Sequence, residues 1–294
     1  MNEPPRCSDN DTPASPEAKN RRPTPGGGLN PPSCDILIFI ATSSEEIQLS
    51  RAASDLQLGF KKAKFNKMSY FDLGVVGATR VFAVRTRMGA LTHTGSAYKA
   101  NYFKTLTGAT GLITVGMAFG VNPKIQRPGQ ILVSRSVLPY DDRDVLPGYC
   151  SSTYSFPRVE PHLASPPLIA MCERFAQNPK VVVPVQFGAL LSGAARVGSI
   201  RYRDNLVRKL QPKVEYDIIG GEMEAFGLLS VSPLDDPQWV VIKAISDFAD
   251  RPAKQMKDAD RDEACYASCF FSLGAIKADV PSSAQQSGGI NVAP

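Results

Sequence analysis

Histidine is scarce in this chain, with only His93 and His162. Cysteine is scattered, at Cys7, Cys34, Cys150, Cys172, Cys265 and Cys269. A zinc site needs three or four such ligands at close spacing, so no metal and no cofactor is expected. The cysteines read as free thiols of a reducing compartment. Cys265 and Cys269, four apart in a predicted helix, read as two small core side chains. Long apolar runs are missing too. Nothing approaches the roughly 18 to 20 consecutive apolar residues of a membrane span, and the Pro-rich, Arg-containing start lacks the apolar run of a signal peptide. These absences predict a cytoplasmic protein with no membrane partner. Lys/Arg-dense helices and interleaved aromatic runs are also lacking, which argues against a nucleic-acid partner.

A hydrophobic content of 43% in 294 residues can close one substantial core. The formal charge is +5. Arg6, Lys19, Arg21 and Arg22 cancel Glu3, Asp9, Asp11 and Glu17 near the start, so the excess belongs to the rest of the chain. Arg80, Arg85, Arg87, Arg196, Arg201 and Arg203 carry much of it. Planar guanidinium groups suit phosphate, and a solvated basic surface explains them equally well.

Residues 1–33 hold eight prolines and a Gly26–Gly28 run without apolar periodicity, which predicts a disordered tail. From 278 to 294 the chain again turns to Pro, Ser, Gln and Gly and reads as a flexible end. Between them, 34–277 reads as one catalytic-sized domain. Short apolar runs alternate there with longer amphipathic stretches, the pattern of an α/β fold with a central mixed β-sheet flanked by helices. Strands are expected at 35–41, 71–76, 80–84, 111–115, 130–138, 181–191, 214–219 and 239–245. Helices are expected from Glu45 or Glu46 to Leu56, capped by Ser43 or Ser44, and at 95–106, 168–177 and 260–277. Ligands should sit beyond the carboxyl ends of the strands.

Two segments carry chemistry. The first, Val214–Ala225, is a strand broken at Gly220-Gly221 that delivers Glu222 and Glu224 to a helix start. About 200° apart around a helix, the two carboxylates should serve different partners. Both also suit the positive end of a helix dipole, which would explain them without any ligand. In the second, the apolar strand Trp239–Ser246 ends in Asp247, with Asp250 three residues on. An acid at a strand's carboxyl end is well placed for catalysis, and equally for capping, the reading preferred for Asp250.

Glu222-Met223-Glu224-Ala225, Ile245-Ser246-Asp247 with Ala249-Asp250, Gly116–Gly120 leading into Ile131–Ser134, and Ile40-Ala41 with Glu45-Glu46 occur in this order. Together they resemble elements of the purine nucleoside phosphorylase and nucleosidase superfamily, the methylthioadenosine and S-adenosylhomocysteine nucleosidases in particular. The resemblance implies a three-layer αβα domain, a homo-oligomer, a small purine nucleoside or nucleotide as partner, and cleavage of the base–ribose bond. In that reaction Asp247 would protonate the purine at N7. Glu46, or Glu45 if the turn is offset by one, would activate the water. Glu224 would accept the ribose hydroxyls, with Met223 as an apolar wall and Glu222 completing the polar side. Gly116, Phe119, Val197 and Ser246 would line the same pocket.

Two departures shape the expected reaction. Superfamily phosphorylases place Arg before the Val-Gly of the glycine turn and Ser after it, where this chain has Thr114 and Met117, so water is favoured as acceptor. Arg87 from a neighbouring strand would restore a phosphate partner, which keeps phosphorolysis as the alternative. The nucleosidases carry Ser-Gly-Asp-x-Phe beside the base, where this chain reads Ser192-Gly-Ala-Ala-Arg196. Arg196 would stack on a base or hold a phosphate, and with Arg201 and Arg203 downstream it favours an adenine nucleotide. Nucleotide-cleaving members act in bacterial defence, a role these basic departures suit. A non-catalytic nucleotide sensor is the competing class, against which the retained acid and base argue. Tyr140–Asp144 resembles a family loop that approaches a neighbouring subunit, or is an acidic turn in solvent. His93 and Trp239 read as structural.

Overall fold

The computed structural model describes residues 31–147, 153–250 and 258–279. The expected tails, apart from 31–33 and Ala278-Asp279, lie outside these residues, as do Cys7 and Cys150. Twelve strands and six α-helices are found among the described residues. In chain order they are β1 Ile36–Ile40, α1 Ser43–Asp55, β2 Lys61–Phe65, β3 Met68–Val76, β4 Thr79–Arg85, α2 Ser96–Thr107 and β5 Gly111–Gly120. Then come β6 Ile131–Pro139, β7 Asp144–Leu146, β8 Thr153–Ser155, β9 His162–Leu163 and α3 Pro166–Ala176. The series ends with β10 Val185–Ser192, α4 Ile200–Leu210, β11 Ile218–Glu222, α5 Ala225–Leu229, β12 Trp239–Asp247 and α6 Asp258–Ala278.

One mixed sheet runs β11-β10-β6-β12-β5-β1-β4-β3-β2, with β9 beside β6. Its middle, β12-β5-β1-β4, is parallel, and the apolar runs of β1 and β12 are buried almost throughout, as expected of strands covered on both faces. Helices α1, α3 and α6 pack together on the sheet, while α2 and α5 form a separate pair against β1 and β12. No helix among the described residues is long and apolar enough to cross a membrane.

The sheet also closes on itself. Gly220 and Gly221 of β11 pair antiparallel with Gly120 and Phe119 of β5, completing a ring through β12, β6 and β10. A side chain at Gly221 would run into the Phe119 ring, and one at Gly220 into Leu132 and the Phe119 carbonyl. The two glycines expected to break the strand are therefore what lets β11 pair, and β11 extends to Glu222 instead of ending near residue 219.

Three further expectations are corrected. Thr42, not Ser43 or Ser44, caps α1: its hydroxyl accepts the Glu45 amide while the Glu45 carboxylate accepts the Thr42 amide. Strand β2 was not expected because Lys61-Lys-Ala-Lys-Phe65 is a charged edge strand. It joins β3 through Asn66 and Lys67, both at positive φ, with no glycine to mark the turn. Helix α4 was hidden because its buried stripe is Arg203, Leu206 and Leu210, with a charge where an apolar residue belongs.

Gly227 of α5 lies against α2, and an added methyl would overlap Ser96 Oγ and the Ala97 amide. Both are in the first turn of α2, where Ser96 also donates to the Glu224 carbonyl at 2.6 Å. Gly227→Ala is expected to cost about 1–3 kcal/mol through overpacking, read as a lower urea midpoint with an unchanged m-value.

Candidate active site

The site begins with the α1 cap. The capping geometry turns Glu45 inward, where it is 2% exposed, and Ala41 also donates its amide to the same carboxylate. Glu46, next along the helix, turns outward and pairs with Arg85 at 2.9 Å. Glu45 thus lines the cleft and Glu46 does not, which corrects the preference for Glu46. Gly116, at φ 127° on β5, makes room for Glu45, because a Cβ there would collide with Glu45 Oε1.

Glu224 caps α5 without a side-chain hydrogen bond to the helix, leaving its carboxylate to reach Lys243 Nζ at 2.9 Å and the Gly89 amide at 3.4 Å. Glu222 accepts the amides of Glu224, at 2.8 Å, and Ala225, and lies 4.0 Å from the same Lys243. The two carboxylates were expected to serve separate partners, but they share one cation. Their segment passes from strand to helix rather than following a helical spiral, so the 200° argument does not apply. Glu222 both anchors the helix start and lines the cleft.

Lys243 was not singled out from the sequence, although a lysine inside Trp239–Ile245 was a visible anomaly. It is fully buried on β12 and also donates to the Val115 carbonyl at 3.1 Å. Burial works against its charge, but Glu224, Glu45 and Glu222 together hold it above its ordinary pKa. Burial pushes the Glu45 carboxyl up, against the pull of Lys243 and with a contribution from Glu224. Burial likewise pushes Glu222 up, to about 7, again opposed by Lys243 and assisted by Glu224. Three carboxylates around one ammonium make a site that readily retains a proton.

Asp247 ends β12 half-buried, its oxygens held by the Ala249 amide at 2.7 Å and the Ser246 hydroxyl at 2.9 Å. Ala249 is at positive φ, so the chain turns sharply behind it. Asp250 is exposed and accepts the Phe248 amide at 3.4 Å; the segment that a helix cap there would precede lies outside the described residues. Across the cleft, Tyr140 packs on Gly193 and donates to the Ala195 carbonyl, while Asp141 accepts the Ala194 amide. These contacts hold the loop that presents Arg196 and Val197. Asp142 and Asp144 pair with Arg158.

The cleft is lined by Glu45, Glu222, Met223, Glu224, Phe119, Arg196, Val197, Ser246 and Asp247, all among the candidates from sequence. Gly116 lies behind Glu45. Met88, Met117 and Arg261 also line it and were not anticipated. Arg261 arrives from α6, outside every recognised motif, and nothing local marked it. Two candidates stand elsewhere. Arg203 is buried under the site, pairing with Asp204 and donating to the Phe248 carbonyl. Arg87 is exposed and is not among the lining residues, though its neighbour Met88 is. Among the described residues no cluster of His, Cys, Asp or Glu is arranged to hold a metal ion. His93 is exposed beside Tyr98, and Trp239 is buried in the core.

An α/β domain with a partly closed mixed sheet, and an acid-lined cleft at its strand ends, defines the class. The sequence profile of the Phosphorylase superfamily matches residues 35–269, and the chain belongs to that superfamily. Solved structures share its fold. A 5'-methylthioadenosine/S-adenosylhomocysteine nucleosidase from Neisseria meningitidis, in complex with methylthio-immucillin-A, is similar at TM-score 0.65 and 19% identity over 83% of this chain and 98% of that one. The Streptococcus pneumoniae MTA/SAH nucleosidase in complex with 8-aminoadenine is similar at TM-score 0.64 and 19% identity, covering 83% and 99%. The futalosine hydrolase of Helicobacter pylori is similar at TM-score 0.62 and 18% identity, covering 82% and 97%. At these identities the likeness is one of fold. Among curated proteins no relative matches this chain.

The carboxylate cluster yields two expectations. Lys243→Met should lower stability by about 3–5 kcal/mol in urea unfolding, because it leaves buried carboxylates without their cation. Glu222 is raised from 4.5 to about 7, so the folded state holds its proton where the unfolded chain has lost it. Its contribution to stability is therefore present below pH 4.5 and is lost as pH rises towards 7. Glu222→Gln keeps the amide contacts and should flatten that fall, seen by comparing urea midpoints of the two proteins at pH 5 and pH 8.

Proposed function

We propose that this chain is an N-glycosidase that hydrolyses the bond between a purine base, adenine foremost, and the ribose of a nucleotide or nucleoside. The observation that carries this reading is the Glu45 carboxylate held over Gly116 in the same cleft as Glu224 and Asp247. Asp247 donates a proton to purine N7, and the C1'–N9 bond breaks with its electron pair leaving on the base. Glu45 takes a proton from a water whose oxygen bonds C1'. Glu224 accepts the ribose hydroxyls while Lys243 fixes its carboxylate, and Met223, Phe119 and Val197 enclose the sugar and base. Ser246 steadies Asp247.

Water is favoured over phosphate as acceptor because the space over the glycine turn is filled by a carboxylate, with Glu224 and Glu222 close by. An inorganic phosphate would meet like charge there, and Arg87 does not line the cleft to offset it. An adenine-type substrate is supported by the family and by the ligands of the fold relatives. Four buried free thiols, Cys34, Cys172, Cys265 and Cys269, suit a cytoplasmic setting. A homo-oligomer is supported by the exposed Met88, Leu91 and Tyr98, of which Met88 lines the cleft.

The test is chromatographic detection of free base from AMP and adenosine, with and without phosphate. Release without phosphate is expected, and dependence on phosphate would make the enzyme a phosphorylase. Asp247→Asn should reduce release by about 100- to 10,000-fold with little change in ligand affinity, as for loss of a general acid. Retained turnover in that variant would reduce Asp247 to a turn residue. Glu45 must be ionised to take a proton and burial raises its pKa, so kcat/KM should climb with pH through the acid range. Glu45→Gln should remove that limb.

A further inference from the structure

Resting on that reading, we infer that Arg261 recognises an anionic group on the ribose side of the substrate, which makes a nucleoside 5'-phosphate, not a neutral nucleoside, the preferred class. Helix α6 climbs past the site in single turns. The Ser268 hydroxyl accepts the Gly116 amide at 3.1 Å, at the base of the cleft. Cys265, one turn nearer the helix start, is buried and feels the charge of Glu45. Arg261 lies four residues further, about 6 Å outward along the helix, and its side chain lines the cleft with Ala41, Thr42 and Met88. It therefore stands above Glu45, on the α1 side. Arg196 comes from the separate loop at Ala195–Val197, which joins Phe119 and Asp247 in the lining.

Charge and solvation decide what Arg261 is for. One-third of its side chain is exposed, and its ion pair is with Asp258, 3.8 Å away and 95% exposed. Such a surface pair contributes little, leaving the guanidinium able to engage a ligand. Glu45, in the same lining, is already occupied by the Ala41 and Thr42 amides and the field of Lys243. A ribose whose hydroxyls face Glu224 and whose base faces Asp247 leaves its remaining substituent, at C5', to the α1 and α6 side. A phosphate there gives Arg261 a planar two-oxygen partner that adenosine lacks.

The experiment compares AMP with adenosine, which differ only in the phosphate, on the full chain. The wild-type ratio of kcat/KM should favour AMP by about 10- to 100-fold, the range for one charge-assisted contact. Arg261→Ala should lower that ratio at least tenfold, mainly through KM of AMP, and Arg261→Lys should retain part of it. A ratio unchanged by Arg261→Ala, or a wild-type preference for adenosine, overturns the assignment. If neither compound releases base, the glycosidase reading fails. The phosphate assignment is then judged by calorimetric binding of AMP and adenosine to wild type and Arg261→Ala. Tighter AMP binding that disappears in the variant supports it, while equal binding, or binding of neither, overturns it.

Discussion

The site depends on burying Lys243 in the middle of β12. A lone ammonium in that position would be too costly to keep charged, and the fold meets the cost by bringing Glu224 to 2.9 Å and Glu222 to 4.0 Å. The partners come from two turns of the architecture. Glu222 ends β11, Glu224 starts α5, and Glu45 reaches in electrostatically from α1. Pairing a buried cation thus ties two connections of the chain, the β11–α5 junction and the start of α1, to one point on β12, and it leaves more carboxylates than cations. Burial of that surplus pushes Glu45 and Glu222 above the ordinary carboxylate range.

Closure of the sheet gives the cluster its walls. The pairing of β11 with β5 requires two successive glycines, and the same contact seats the Phe119 ring against Gly221. Phe119 is therefore held by the backbone beneath it. On the opposite side the α1 cap, Gly116 and Ser268 form a second close contact, in which a positive-φ glycine makes space for Glu45. Both contacts trade side chains for close backbone approach, so the cleft's shape is set by glycines and its charge by the residues that approach them.

Much of this was legible in the sequence. The apolar runs marked the buried strands, and Glu224, Met223, Glu222, Ser246 and Asp247 were visible because motif residues at strand ends are local features. Other parts resisted for identifiable reasons. Strand β2 is polar at an edge, α4 hides a buried arginine in its apolar stripe, and β11 contains the residues that ordinarily end strands. Arg203 looked like a ligand-facing charge and instead supports the Phe248 carbonyl behind Asp247.

By itself the sequence determined the alternation of strand and helix and the acids at the strand ends, because these follow from local periodicity and spacing. Only the tertiary structure decided that Glu45 and not Glu46 faces the cleft, since one residue of helix phase turns a side chain by about 100° and the cap sets that phase. It also decided that Lys243 joins the carboxylates and that Arg261 meets the cleft from α6. Those contacts span 19 residues in one case and more than 200 positions between Ala41 and Arg261 in the other. No local pattern encodes such distances; packing alone brings the groups together.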